Sequence, residues 1–81
     1  MDKEIHVIYA SFECKACDKA KFHLPQFCKK EGWTLKIIKE EYKDQFHVKN
    51  YPTIFATINK EIVLTMEGFS LKKLKTNLNK Y

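Results

Sequence analysis

The chain has 81 residues, enough for one domain around a single core and too few for two. Apolar residues make up 44% of it, with eleven aromatics and only two Gly and two Pro, a composition that excludes a disordered or low-complexity chain. Fifteen lysines against ten acidic residues give a formal charge of +5, yet there is no arginine, the residue that reads guanine and grips phosphate bidentately, so nucleic-acid binding is not expected.

The amino-terminal run Met1–Asp2–Lys3–Glu4 lacks the layout of a secretory leader, and no stretch approaches the ~20 apolar residues that span a bilayer. The expected setting is cytoplasmic, with no membrane association. There thiols stay reduced, and a cysteine pair serves catalysis or metal binding more often than structure.

Ile5–Ala10 is a nearly continuous apolar run and reads as a buried strand. Ser11–Phe12–Glu13 is a loop, and a helix should begin near Cys14. Its apolar stripe is Cys17, Ala20, Leu24, Phe27 and Cys28, and Gly32 supplies the left-handed stop after Glu31. Pro25 falls inside that stripe and is expected to kink the helix or end its first half. Trp33–Lys39 reads as a second strand, and Glu40–Val48 as a helical turn or short helix.

Thr53–Ile58 and Glu61–Met66 are β-branched runs separated only by Asn59–Lys60, which implies an antiparallel hairpin. Ser70 is a good N-cap for a last helix carrying Leu71, Leu74, Leu78 and Tyr81, with Phe69 placed to pack on Leu74 as a hydrophobic staple. The order β-α-β-(α)-β-β-α predicts an α/β fold: a four-stranded mixed sheet whose first crossover is parallel and right-handed. Residues 1–81 are expected to form one domain.

The chemistry centres on Cys14–Lys15–Ala16–Cys17. At a helix start, two cysteines three apart share one face, a separation suited to a disulfide with Cα atoms ~4.4–6.8 Å apart. Their positions make the sulfurs unequal. Cys14 faces unpaired backbone N–H groups and the positive end of the helix dipole, which favour its thiolate. Lys15 adds a further positive charge beside it. Cys17, one turn further in, is more buried. Cys14 is therefore the expected nucleophile on a substrate disulfide, and Cys17 the thiol that resolves the mixed disulfide.

A zinc reading competes, because Cys14-x2-Cys17-x5-His23-x4-Cys28 is near the spacing of a zinc knuckle. If residues 15–31 are helical, Cys28 lies ~16 Å along the axis from Cys17, too far for both sulfurs to bind one ion at ~2.3 Å. On that basis no all-protein metal site is expected, Cys28 is a core thiol, and His23 is a surface histidine on the side of Lys19 and Lys30.

Tyr51–Pro52–Thr53 leads directly into a strand, a place where proline's missing N–H is tolerated. Over essentially its whole length the sequence resembles the thioredoxin-fold redox proteins, glutaredoxins and thioredoxins. Cys14–Lys15–Ala16–Cys17–Asp18–Lys19–Ala20–Lys21 is similar to the glutaredoxin active site and first helix. Tyr51–Pro52–Thr53 is similar to the cis-proline loop of both branches, and Gly68–Phe69 to the glycine turn before their last helix.

The resemblance implies a thioredoxin fold in its minimal, glutaredoxin-like form and a cis Tyr51–Pro52 bond. It also implies a Tyr51 backbone that pairs with extended substrate, and a monomer without a tightly bound cofactor. Substrates would be disulfide-bearing proteins or glutathione mixed disulfides, with glutathione as co-substrate. Substrate contacts then fall on Lys15, Lys49, Tyr51, Pro52, Gly68 and Ser70. A thioredoxin-type reductase and ribonucleotide reductase are partners at the level of the family.

The sequence departs from that pattern in several places. Lys15–Ala16 is neither the Gly-Pro of thioredoxins nor the Pro-Tyr of glutaredoxins, Ile8 stands where thioredoxins bury an Asp, and Lys36 matches their buried Lys weakly. Glu67–Gly68 keeps one glycine of the glutaredoxin pair, and Glu67 would disfavour the carboxylates of glutathione. Three other readings stay open: a thioredoxin-type protein served by a reductase, a metal or iron–sulfur carrier ligating through Cys14, and a structural domain with a vestigial pair.

Overall fold

The computed structural model describes residues 2–81, so Met1 of the amino-terminal run lies outside it. β1 (Lys3–Ile8) is an inner strand, joined by α1 (Lys15–Glu31) to β2 (Thr34–Ile38). A 3-10 connector (Glu40–Phe46) leads to the hairpin of β3 (Thr53–Ile58) and β4 (Glu61–Glu67), and α2 (Leu71–Leu78) follows. The sheet order is β2-β1-β3-β4, with β1 parallel to β2 and the other pairs antiparallel. Element order and sheet agree with the sequence expectation.

One face of the sheet holds the core. Ile5, Val7, Ile54, Ala56 and Met66 meet Ala20, Leu24, Phe27 and Cys28 of α1 and Leu74 and Leu78 of α2. Each large aliphatic side chain removed from water there contributes roughly 2 kcal/mol. The other face is more polar: His6 stacks on Phe55 at 4.8 Å, and Phe46 of the connector covers Phe55 at 5.5 Å.

The helix ends follow their capping residues. Gly32 (φ +77°) closes α1, its own N–H and that of Trp33 both reaching the Cys28 carbonyl. Ser70 caps α2 by accepting the Lys73 N–H at 3.3 Å. Asn59 and Lys60 both adopt positive φ at the hairpin tip, the geometry a two-residue turn requires. Between Ala56 and Thr57 the partners jump from Leu64 to Ile62, leaving Val63 unmatched in a bulge.

Three expectations are corrected. Pro25 does not end its helix: α1 runs unbroken through it, with the Gln26 side-chain amide donating to the Phe22 carbonyl at 3.2 Å, and buried Leu24 and Phe27 hold the helix on either side. Lys36 is not buried, because β2 is an edge strand and the side chain reaches solvent, pairing with Glu4 at 3.2 Å. That bond holds the Glu4 carboxyl below its ordinary value. β1 lies two residues earlier than Ile5–Ala10. Its ladder ends where Ile8 meets Thr53, the first residue after Pro52, and Tyr9–Ala10 turn toward α1.

Candidate active site

The end of β1, the start of α1 and the start of β3 converge at one end of the sheet. Cys14 is the N-cap residue of α1, extended in backbone (φ −152°, ψ 104°), and its sulfur accepts the Cys17 N–H at 3.1 Å. The Asp18 N–H donates to the Cys14 carbonyl at 3.1 Å. Of these two amides only that of Cys17 is aimed at the sulfur, an arrangement that favours negative charge on it, while that of Asp18 makes the first regular bond of the helix.

Cys14 and Cys17 are joined in a disulfide, with Cα atoms 5.2 Å apart. Cys14 is half-buried, whereas Cys17 is 2% exposed and receives the Ala10 N–H at 3.5 Å. The asymmetry expected from helix position is therefore present in the folded chain: an approachable sulfur at the cap and a covered one behind it.

The loop before β3 supplies the facing wall. The Tyr51–Pro52 bond is cis, and the Tyr51 carbonyl oxygen lies 3.9 Å from Cys14 Sγ. Pro52 is fully buried. Its carbonyl accepts the Gly68 N–H at 2.8 Å, and Gly68 adopts a φ of +80° that L side chains rarely enter. Thr53 Oγ1 donates to the Asn50 carbonyl at 2.6 Å, and Asn50 donates to Glu67 at 2.9 Å. The Asn50–Glu67 and Gly68–Pro52 bonds tie the proline loop to the glycine turn, with Pro52 itself buried. Lys15 and Lys49 are both exposed. Ile8 is fully buried, and no carboxylate stands in its place behind the pair.

Cys28 sits on the core side of α1, well removed from the pair, and burial pushes its thiol up to about 11. His23 was expected at the surface but is half-buried, with its ring stacked on Phe69 at 5.9 Å and edge-on to Phe22 at 5.0 Å. A pairing between α1 and the turn before α2 has no local signature, which is why the helical wheel missed it. Glu40, which the sequence did not single out, reaches the loop before Cys14. Its carboxylate accepts the Ser11 N–H at 3.1 Å, across 29 residues of chain.

A groove of about 360 Å³ lies at the opposite end of the sheet, lined by Lys3, Phe27, Trp33, Lys75 and Tyr81, and none of the predicted site residues borders it. Disulfide exchange needs an approachable sulfur and an in-line leaving group rather than an enclosing cavity, so the site is located by chemistry and not by concavity.

No protein-family model and no curated protein matches the amino-acid sequence. Solved structures do match in shape. Thioredoxin f2 of Chlamydomonas reinhardtii superposes with a TM-score of 0.82 at 20% identity, over 98% of this chain and 78% of that one. Thioredoxin 1 of Thermosipho africanus gives 0.82 at 16% identity, over 96% and 92%. The oxidized form of mitochondrial thioredoxin 3 from Saccharomyces cerevisiae gives 0.76 at 16%, over 99% and 79%.

The chain has the thioredoxin fold.

Within the thioredoxin fold, a disulfide between Cys14 and Cys17 at the start of the first helix supports thiol–disulfide oxidoreductase chemistry in general.

Proposed function

We propose that the protein reduces disulfides of proteins, or mixed disulfides with glutathione, through the Cys14–Cys17 dithiol. The observation that carries this reading is the inequality of the two sulfurs: Cys14 at the helix cap beside the Tyr51 carbonyl, Cys17 covered behind it. The Cys14 thiolate attacks one substrate sulfur, forming a Cys14–substrate disulfide and expelling the other sulfur as a thiolate that takes up a proton. Cys17 then loses its proton to solvent and attacks Cys14, releasing the second substrate thiol and closing the Cys14–Cys17 disulfide. A dithiol or two glutathione molecules must return two electrons to the pair.

The Tyr51–Pro52 wall supports an extended substrate segment laid beside Cys14, with the Tyr51 backbone as its hydrogen-bonding partner. Glutathione use draws on Lys49, the Tyr51 backbone and the α2 N-terminus at Ser70 as contacts. A compartment that keeps thiols reduced, such as the cytoplasm, suits a chain working in this direction. Ribonucleotide reductase is a candidate recipient at the level of the family.

A second reading, a thioredoxin-type protein recharged by a reductase, is favoured by one observation. Glu67 is exposed next to Gly68 and held by Asn50 at 2.9 Å, placing a negative charge where glutathione would bring its own. Turnover of a small glutathione mixed disulfide, coupled to glutathione reductase and NADPH, separates the two. Activity that disappears in Cys14→Ser and persists in part in Cys17→Ser supports the glutathione route. Insulin reduction with dithiothreitol but no glutathione turnover supports the reductase route. Silence in both assays ends the oxidoreductase reading and brings forward a metal or iron–sulfur carrier ligating through Cys14, which metal analysis of freshly purified protein would then test.

A further inference from the structure

The loop that delivers Cys14 is short and exposed, and little of its own chain restrains it. Ser11, Phe12 and Glu13 are all solvent-facing, with Phe12 62% exposed. Two backbone donors fix its path. Ala10 N–H reaches Cys17 Sγ, and Ser11 N–H reaches Glu40 Oε2 at 3.1 Å.

Glu40 opens the 3-10 connector and has no part in the sheet or the core. Its carboxylate nevertheless holds the loop before Cys14 through the Ser11 N–H. The Ser11 hydroxyl and N–H hold the Glu40 carboxyl below the ordinary carboxylate value, with a smaller contribution from the Tyr51 phenol beside it. Tyr51 is pressed the other way, its phenol raised chiefly by burial and then by the Glu40 charge. The Tyr51 ring also meets Phe12 edge-on at 5.5 Å. The loop that Glu40 anchors at Ser11 thus meets the loop before Pro52 through the Phe12–Tyr51 contact.

We propose that Glu40 is a positioning residue for the reading given above: by holding Ser11, and with it the neighbouring Phe12 against Tyr51, it sets the width of the cleft that receives an extended protein disulfide. It touches neither sulfur, so its effect falls on recognition of a polypeptide substrate and not on the intrinsic reactivity of Cys14. Glu41 and Asp44, on the same connector, are exposed and neither is bonded to the Ser11 N–H, so this position is not interchangeable with its acidic neighbours.

The test uses the full chain with two substrates, insulin with dithiothreitol as reductant and 5,5′-dithiobis(2-nitrobenzoate) as a small disulfide that makes no use of the cleft. Glu40→Ala should raise KM for insulin by about tenfold, the loss of one charge-assisted hydrogen bond, with kcat kept within about twofold. The small-disulfide rate should stay within about twofold of wild type. Glu40→Gln still offers an acceptor to Ser11 and should recover most of the KM, leaving a defect of about threefold.

Unchanged KM for insulin in Glu40→Ala overturns the proposal. So does an equal loss on both substrates accompanied by a lowered Tm, which would make the residue a structural support. Should wild type reduce neither substrate, the disulfide-reductase reading fails first and the role of Glu40 falls with it, an outcome distinct from an active wild type with an unresponsive Glu40.

Discussion

The two helices of this fold start in nearly the same way, and the difference between their first residues separates structure from chemistry. Cys14 and Ser70 both sit at the N-cap in extended backbone, at φ −152° and −141°. Each turns its side chain back on the amide three residues on, a sulfur at 3.1 Å in one helix and a hydroxyl oxygen at 3.3 Å in the other. A hydroxyl in that position satisfies a donor permanently. A sulfur satisfies it as well, and a donor aimed at sulfur favours its thiolate form. The capping geometry is common to both ends, and what distinguishes them is an atom that can leave its proton, bond to another sulfur and return. The second difference is what faces the cap. The Tyr51–Pro52 wall stands opposite Cys14, while Ser70 ends a turn already consumed by the Gly68–Pro52 bond.

Exchanging the sulfur is the most severe way to probe this comparison. Cys14→Ser should lower disulfide turnover to background, while the thermal midpoint stays close to that of the reduced wild type, because serine is itself a preferred cap. A large loss of Tm in this variant would show that the cap at α1 depends on sulfur and that the two helix starts are not equivalent. Moving inward from each cap, Leu24 and Leu74 are both fully buried. Replacing either with Ala should cost about 2–5 kcal/mol in denaturant unfolding. A much smaller loss at Leu74 would mean that the eight-residue α2 is anchored mainly by its cap.

Ser70→Ala is milder, at about 1 kcal/mol, and should appear as early hydrogen exchange confined to α2. The smallest effect concerns the far end of α1. Burial raises the Cys28 thiol to about 11, so the folded state holds its proton more tightly than the unfolded chain does. That contribution is complete below the ordinary thiol value near 9.0 and is lost as pH rises toward about 11. In reduced protein at pH 8, iodoacetamide should modify Cys14 first and leave Cys28 unlabelled until the chain is unfolded. Labelling of Cys28 in the folded protein would mean that α1 opens locally around it.

Much of this was readable from local pattern. Gly32, Ser70 and Asn59–Lys60 act on residues within a few positions of themselves, and each produced the stop, cap or turn its chemistry predicts. The Cys14–Cys17 spacing and Pro52 at a strand start were legible for the same reason. Pro25 shows where local rules give way, since burial on both sides of it outweighs one missing hydrogen bond. His23 on Phe69 and Glu40 on Ser11 join segments 46 and 29 residues apart, and nothing within a single element announces such pairings. Lys36 failed in the opposite direction: its identity invited a buried role, and its place on an edge strand ruled that out.

The bulge at Val63 matters beyond the hairpin that contains it. β4 and β2 are the outermost strands, so each carries a row of outward amides and carbonyls that a second molecule could join by hydrogen bonding. The extra residue twists β4 and breaks the regular repeat that such joining requires, and Glu61 and Glu67 put like charges at its two ends. β2 is only five residues long and presents Lys36. For a chain this rich in β-branched and aromatic residues, such interruptions make edge-to-edge pairing of two copies less favourable.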